Sequence, residues 1–316
     1  MCRILILLVL FHTSSFCDAQ ILFENYLEEE GKVVLTSGIE IPKISKGYSV
    51  WLPDERPPKG LIVFWHSRKD SLADFIIEYA TSRDLAVSYI TTSNRLEFLF
   101  EESKMIESIG FLEEIINKYN IPPHQLLYCG MSLAGTRALK MAQFSQSPSS
   151  TIRIIPKAIA ICDSPLDMVR FHGSMTKAVK TNFNKTASNE GKWVSGYLVS
   201  NLGGSPEDNM EDYFRYSPYS HSGSMDSSKL DVFNDIAIRT YTEPDIGWWM
   251  KNRGKDFYDM NSIDMAAFVN DLKIHGHQNA ELITTENKGF LPDGVRHPHS
   301  WSIVDEKELI DWFLKL

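Results

Sequence analysis

Residues 128–135, Tyr-Cys-Gly-Met-Ser-Leu-Ala-Gly, constrain the fold of this chain more than any other segment. The apolar run 125–129 predicts a buried strand, and residues 136–144 have the composition of a helix. Between them, Gly130 and Ala134 must be small, because a turn this tight brings neighbouring backbone close to both. The order strand, tight turn, helix therefore predicts a serine placed on a sharp bend.

A serine on such a bend is chemically favoured. Its oxygen is exposed above the sheet, and backbone N–H groups at the start of the following helix point toward negative charge that develops beside it. These features make Ser132 a candidate nucleophile. The alternative is an ordinary serine in a glycine-containing turn, since the bare pattern also arises by chance in chains of this size.

The composition narrows the class of protein. A chain of 316 residues can form one large domain or two small ones, and 43% hydrophobic with 23% charged residues is typical of a soluble globular protein. The formal net charge is −9, with no block of lysine or arginine. Phosphate contacts need a concentrated basic surface, so this composition argues against nucleic-acid binding.

The N-terminal residues predict an export signal. Arg3 precedes the apolar run 4–11, which is too short to span a bilayer, and Cys17-Asp18-Ala19 places small residues where signal peptidase cleaves. We therefore expect cleavage after Ala19 and a mature protein in the periplasm or outside the cell, with no membrane span. A buried N-terminal strand is the alternative.

The remaining pattern predicts an α/β fold. Continuous apolar runs at 61–65, 85–90 and 158–162 are typical of strands covered on both faces, and helical spacing follows from 105 to 119. This alternation predicts a mostly parallel sheet with helices on both faces. The polar stretch of about 166–230 is too long for a simple connection, so we expect an inserted lid there. A surface excursion away from the site is the alternative.

From about residue 48 onward, the chain resembles the α/β-hydrolase superfamily, in particular an exported bacterial esterase-like branch. The Gly-Met-Ser-Leu-Ala-Gly turn carries much of this resemblance. It implies Ser132 as nucleophile and the Leu133 backbone N–H as one oxyanion donor. A second donor is implied in the loop after 61–65, where this chain has His-Ser-Arg and no glycine. We expect the Arg68 backbone N–H to fill that role.

The same resemblance implies an acid and then a histidine in chain order. The acid is expected at Asp245, in the Thr-Glu-Pro-Asp turn after a predicted strand, with Glu243 and Asp163 as alternatives. The base is expected at His299, close to the last helix, with His297 as the alternative. Histidine suits this role because it takes and returns protons near neutral pH.

These residues predict a serine hydrolase that cleaves a carboxylic ester of a small-molecule or acylated substrate without a metal or organic cofactor. A peptidase or acyltransferase would use the same groups, and a non-catalytic binding protein would use only the scaffold. A metal bound by the pairs His275/His277 and His297/His299 is a further alternative. Cys129 and Cys162 each end a predicted buried strand, so we expect two inert core thiols, and the sequence does not decide whether they pair. The oligomeric state is also left open.

Overall fold

The computed structural model describes residues 21–34, 40–68, 74–94, 96–223 and 228–316. The predicted signal, residues 1–19, lies outside these ranges. Within them the chain forms ten strands, ten α-helices and two short 3-10 helices at Phe257–Asp259 and Trp301–Ile303. The strands are β1 (Ile21–Leu27), β2 (Lys32–Val34), β3 (Glu40–Pro42), β4 (Lys46–Leu52), β5 (Gly60–Phe64), β6 (Leu85–Thr91), β7 (Leu126–Met131), β8 (Ala158–Cys162), β9 (Ala237–Thr242) and β10 (Ala280–Thr284). The helices are α1 (Phe75–Ser82), α2 (Glu102–Tyr119), α3 (Leu133–Phe144), α4 (Met168–Thr181), α5 (Lys185–Asn201), α6 (Pro206–Tyr216), α7 (Ser228–Asp231), α8 (Ile246–Arg253), α9 (Ser262–Ile274) and α10 (Glu306–Lys315).

Eight strands form one sheet in the order β1-β4-β6-β5-β7-β8-β9-β10. The six strands from β6 to β10 in that order are parallel, whereas β4 is antiparallel to both of its neighbours. Strands β2 and β3 pair separately. The mostly parallel sheet agrees with the prediction, and it brings the loops after β5, β7, β8 and β9 to one edge, where ligands bind in folds of this class.

The core lies on both faces of the sheet, which explains the continuous apolar runs. Along β5, Leu61 and Val63 pack with side chains of α2, α3 and α9 on one face. Ile62 and Phe64 pack with side chains of α1 and α10 on the other. Helix α3 begins at Leu133, three residues before the predicted start, because Ala134 and Gly135 already belong to it.

The chain between β8 and β9 forms the helices α4 to α7, which sequence reasoning did not resolve. Residues 224–227 of this insertion lie outside the described ranges. Apolar side chains from α4 and α5 pack around Phe98 and Phe100, with Leu133 against the same cluster. The insertion therefore contacts the helix that follows Ser132, and its role as a lid stays a prediction.

The two cysteines lie on adjacent strands and are buried and free. Cys129 of β7 faces Ala160, and Cys162 of β8 faces Met131, so the strand register separates them. Burial raises the pKa of both thiols well above the ordinary value. Neither thiol is activated as a nucleophile. Across the described ranges, none of the helices has the length and apolar character needed to cross a bilayer.

Candidate active site

Ser132 joins β7 to α3 with φ of 54° and ψ of −127°, a conformation that non-glycine residues rarely adopt. Two glycines permit this bend. A Cβ on Gly130 would lie 2.3 Å from the carbonyl carbon of Ala134, and one on Gly135 would lie 2.0 Å from the Ser164 Oγ. The requirement at Gly135 was missed from sequence, although a second glycine in the turn was a visible signal. The Ser132 side chain makes no capping bond to α3 and is partly exposed.

The bend is fastened to the neighbouring strand. The Ser132 N–H donates to the carbonyl of Cys162 at the end of β8, at 2.8 Å. Leu133 is the first residue of α3, so its N–H is among those that a helix leaves without an intrahelical carbonyl. The use of this N–H as an oxyanion donor stays a prediction.

His299 lies over the same strand end. Its Nδ1 is 2.6 Å from Oδ2 of Asp163, the residue that follows β8. The imidazole is 23% exposed and the carboxylate 7%. The Cys162 thiol also donates to the Ser300 carbonyl, at 3.7 Å. Ser132 and His299 are thus both held at the carboxyl end of β8, with a buried carboxylate to orient the imidazole.

The structure places the carboxylate of Asp163, and not that of the predicted acid Asp245, against His299. The Asp245 carboxylate accepts from the Trp248 N–H at 2.9 Å, as the N-cap of α8, and from the Arg296 guanidinium at 2.8 Å. These two contacts engage the Asp245 carboxylate, which caps the start of α8. The carboxylate beside His299 is that of Asp163, the alternative one strand earlier.

Glu243, the other alternative, holds the loop that precedes the histidine. It accepts from the Thr285 hydroxyl at 2.8 Å and the Lys288 N–H at 2.9 Å, and it pairs with Arg296. Burial alone would raise the pKa of Glu243, but these contacts outweigh it and lower the pKa. Arg296 also donates to the Gly289 carbonyl at 2.7 Å. The acidic turn after β9 therefore fixes the histidine loop through Arg296, which directly precedes His297.

His297, the alternative base, points elsewhere. Its Nδ1 contacts the His299 carbonyl at 3.0 Å, and its ring packs on Trp248 with centroids 4.7 Å apart. Burial, with His299 next to it, lowers the pKa of His297. Trp249 packs on His299, with centroids 6.4 Å apart. The tryptophan pair of α8 thus lines the histidine loop.

The remaining histidine pair has structural partners. His277 Nε2 lies 2.9 Å from the Phe233 carbonyl and 3.0 Å from that of Ile236, and His275 Nδ1 contacts the Asp271 carbonyl. Within the described part of the chain, no three His, Cys, Asp or Glu side chains are grouped so that they could hold a metal ion.

The loop after β5 is described as far as Arg68. The Arg68 carbonyl accepts from the Tyr26 hydroxyl at 3.2 Å, and its guanidinium contacts Asp74 and the Tyr89 hydroxyl. The role of the Arg68 backbone N–H as second oxyanion donor stays a prediction. Earlier in this loop, burial lowers the pKa of His66 to about 4, so this imidazole is neutral at ordinary pH.

Sequence reasoning also missed Arg137, a buried residue of α3. Its Nη1 donates to the Trp65 carbonyl at 2.9 Å and its Nε to the Glu97 carbonyl at 2.6 Å. An arginine among the apolar residues of a core helix was the signal, because a buried charge needs hydrogen-bonding partners. Arg137 ties the helix after Ser132 to the loop after β5.

No protein-family model and no curated protein matches the sequence. Carboxyl esterase 2 from the mycorrhizal fungus Tuber melanosporum is 12% identical with a TM-score of 0.54, over 96% of this chain and 89% of that one. Acylaminoacyl peptidase from Pyrococcus horikoshii is 12% identical with a TM-score of 0.53, over 94% of this chain and 42% of that one. MPT51 from Mycobacterium tuberculosis is 10% identical with a TM-score of 0.51, over 92% and 98%. At such identities the likeness concerns architecture alone, and it shows that this protein has the α/β-hydrolase fold.

Proposed function

We propose that the protein is a serine hydrolase that cleaves a carboxylic ester with Ser132, His299 and Asp163. One observation carries this proposal. The His299 Nδ1 lies 2.6 Å from the buried Asp163 carboxylate, directly after the strand whose last carbonyl holds the bent backbone of Ser132. A serine on a strained bend and an imidazole oriented by a carboxylate, both held at the carboxyl end of β8, are the groups that acyl transfer requires.

In the proposed mechanism, Asp163 holds the His299 Nδ1–H, so Nε2 is the nitrogen that accepts the Ser132 proton. The serine oxygen attacks the ester carbonyl, and the Leu133 N–H stabilises the oxyanion. His299 then returns the proton to the leaving alcohol, which leaves the acyl group on Ser132. In the second step His299 takes a proton from water, the water oxygen attacks the acyl carbonyl, and the proton returns to Ser132 as the acid is released. The second oxyanion donor is proposed at the Arg68 N–H. No step needs a metal or an organic cofactor.

The same groups would serve a peptidase or an acyltransferase. Turnover of a p-nitrophenyl ester but not of the matched p-nitroanilide favours the esterase, and transfer of the acyl group to an added alcohol favours the acyltransferase. A non-catalytic binding protein would turn over none of these compounds.

We also propose that the insertion covers the serine and that the protein is exported. Leu133 packs on the cluster formed by α4 and α5, which supports contact between the insertion and the nucleophile helix. Export is proposed from the apolar segment before Ala19. N-terminal sequencing of the protein recovered outside the cytoplasm tests it, and we expect a chain that begins at Gln20.

Replacement of the serine tests the proposed function. We expect Ser132→Ala to lower kcat for p-nitrophenyl acetate by at least about 1,000-fold, because the nucleophile is lost. The matched control is Ser103→Ala, which removes an exposed hydroxyl and should leave kcat within about twofold. Thermal unfolding of each variant checks that the fold is intact. Near-full turnover by Ser132→Ala would exclude this serine.

A further inference from the structure

Lys255 is a buried cation beside the candidate site. It follows α8 and is only 9% exposed. Its Nζ lies 5.5 Å from the ring centroid of Trp249, and the same ring is 6.4 Å from that of His299. The amine therefore lies no further than the sum of these distances, about 12 Å, from the candidate base. A group attached to a substrate can span that separation.

The charges around Lys255 are already paired with one another. Arg253 pairs with Glu190 at 3.4 Å, and Lys177 pairs with both Asp256 and Asp259 at 2.7 Å. Nearby Arg170 is paired with Asp264. Among the residues that the structure describes, none places a carboxylate or another acceptor within hydrogen-bonding distance of the Lys255 amine. No acceptor in the described ranges therefore replaces the water that this amine loses on burial, and Glu190 and Asp259 act on its charge only from beyond hydrogen-bonding distance.

A mostly buried ammonium without a hydrogen-bond acceptor is unfavourable in the free protein. Burial accordingly lowers the pKa of Lys255. A negatively charged ligand group would remove this penalty, because a buried charge is stabilised by an ion pair and hydrogen bonds that replace its water. The contact to Trp249 alone compensates only part of the loss.

We propose that Lys255 binds a carboxylate of the substrate, so that the enzyme acts on esters that carry a second, negatively charged group. This inference rests on the proposed function, because it places the anion in the site of Ser132 and His299. A carboxylate is favoured over a phosphate dianion because one ammonium, with the nearby Arg253 already paired, matches a single negative charge.

Matched esters test the proposal. The p-nitrophenyl half-esters of succinic, adipic and suberic acid vary the spacing of the carboxylate, and for each a neutral ester replaces the carboxylate with an isopropyl group. We expect the wild type to favour at least one half-ester. For that half-ester, Lys255→Met should lower the ratio of kcat/KM, charged over neutral, by about 10- to 100-fold, the usual effect of one charge-assisted contact.

Lys251→Met is the matched control, because it removes the same charge from an exposed position of α8. It should leave the ratio within about twofold. Lys255→Arg should retain part of the preference. An equal change for both esters in Lys255→Met, or no preference in the wild type, would overturn the proposal while the proposed function stands.

If Lys255→Met fails to fold, inhibition of the wild-type enzyme tests the proposal instead. Adipate should inhibit hydrolysis of the neutral ester competitively, at a concentration at least about tenfold below that of uncharged adipamide. Equal inhibition, or stronger inhibition by inorganic phosphate, would contradict a carboxylate site. If no ester is hydrolysed, the proposed function fails, and calorimetry of monomethyl adipate binding tests the carboxylate site separately. An affinity at least tenfold weaker in Lys255→Met than in the wild type supports the site. Equal affinity in the two proteins, or no binding to the wild type, overturns it.

Discussion

Ser132 occupies a strained backbone conformation, of a kind that costs roughly 1–3 kcal/mol per residue. The surrounding chain holds it there through the bond of its N–H to the Cys162 carbonyl and through the close contacts that Gly130 and Gly135 permit. Such strain persists where structure around it is rigid, and it keeps the hydroxyl from folding back as a cap on α3. The strain thus maintains the exposure on which the proposed chemistry depends.

Two carboxylates compete for the role of acid, and matched variants separate them. We expect Asp163→Asn to lower kcat by about 1,000- to 10,000-fold, because an amide no longer holds the imidazole in the required tautomer. Asp245→Asn should lower kcat by less than about tenfold, since this side chain contacts Arg296 and the start of α8. Steady-state kinetics with one neutral ester measures both. The reverse order of the two effects would return the role to Asp245.

The serine and histidine could be chosen from sequence more readily than the acid. The turn around Ser132 has a local signature, and His299 directly precedes Ser300 and Trp301 close to the last helix. Asp163 and Asp245 each follow a strand, so no local pattern distinguishes them. The distinction depends on Arg296, whose bond to Asp245 forms only when distant segments meet.

At the scale of elements, α3 is connected to the loop after β5 through Arg137. The guanidinium bonds to the carbonyls of Trp65 and Glu97 replace the water that both groups lose on burial. They also fix the end of β5, next to the strand that leads to Ser132. In the proposed mechanism, Arg137 is therefore a positioning residue for the loop after β5, which carries the proposed Arg68 oxyanion donor.

We expect Arg137→Met to lower the free energy of unfolding by about 2–4 kcal/mol, because two buried carbonyls lose their donors. At a temperature where the variant is folded, kcat should fall at least about tenfold while KM changes little, since the loop would no longer be fixed. Urea titration and steady-state kinetics measure these effects. Arg83→Met, at an exposed position, is the control. Unchanged kcat in a destabilised Arg137→Met would limit this arginine to a structural role.

The strands were predictable because both faces of each central strand are covered, which leaves long apolar runs such as that of β5. The helices of the insertion were not, because their apolar side chains face a separate small cluster around Phe98 and Phe100 and are diluted by polar residues. The order of the strands was not predicted, since periodicity carries no information on which strands pair.

At the scale of the molecule, the two ends of the insertion are bonded to each other and to α9. Asp167, at its start, accepts from the Ser220 hydroxyl at 2.8 Å and from the His221 N–H at 2.9 Å, near its end. Asp264 of α9 pairs with Arg170 and with His221 Nε2, the latter at 3.0 Å. The buried Asp167 carboxylate thus joins the two ends of the insertion, and the buried Asp264 carboxylate joins both ends to α9.

This attachment should depend on pH. The hydrogen bond to Asp264, acting against burial, raises the pKa of His221 above its ordinary value. A raised folded-state pKa stabilises the folded protein below the unfolded-state pKa of about 6.5, and this stabilisation is lost as pH rises through the folded-state value. His221→Gln should therefore lower the free energy of unfolding more at pH 5.5 than at pH 9.

Urea denaturation at the two pH values measures this difference. His124→Gln, which replaces an exposed histidine, is the control, and it should change the free energy of unfolding little at either pH. A larger loss at pH 9 than at pH 5.5 for His221→Gln would contradict the charged pair with Asp264.

The central claim is that Ser132 is an activated nucleophile. Incubation of the wild-type protein with a fluorophosphonate, followed by mass spectrometry of its peptides, tests this claim most directly. We expect one phosphonylated residue, Ser132, and loss of the label in His299→Ala, because the base no longer removes the serine proton. A protein that stays unlabelled, or one labelled at another serine, would contradict the account.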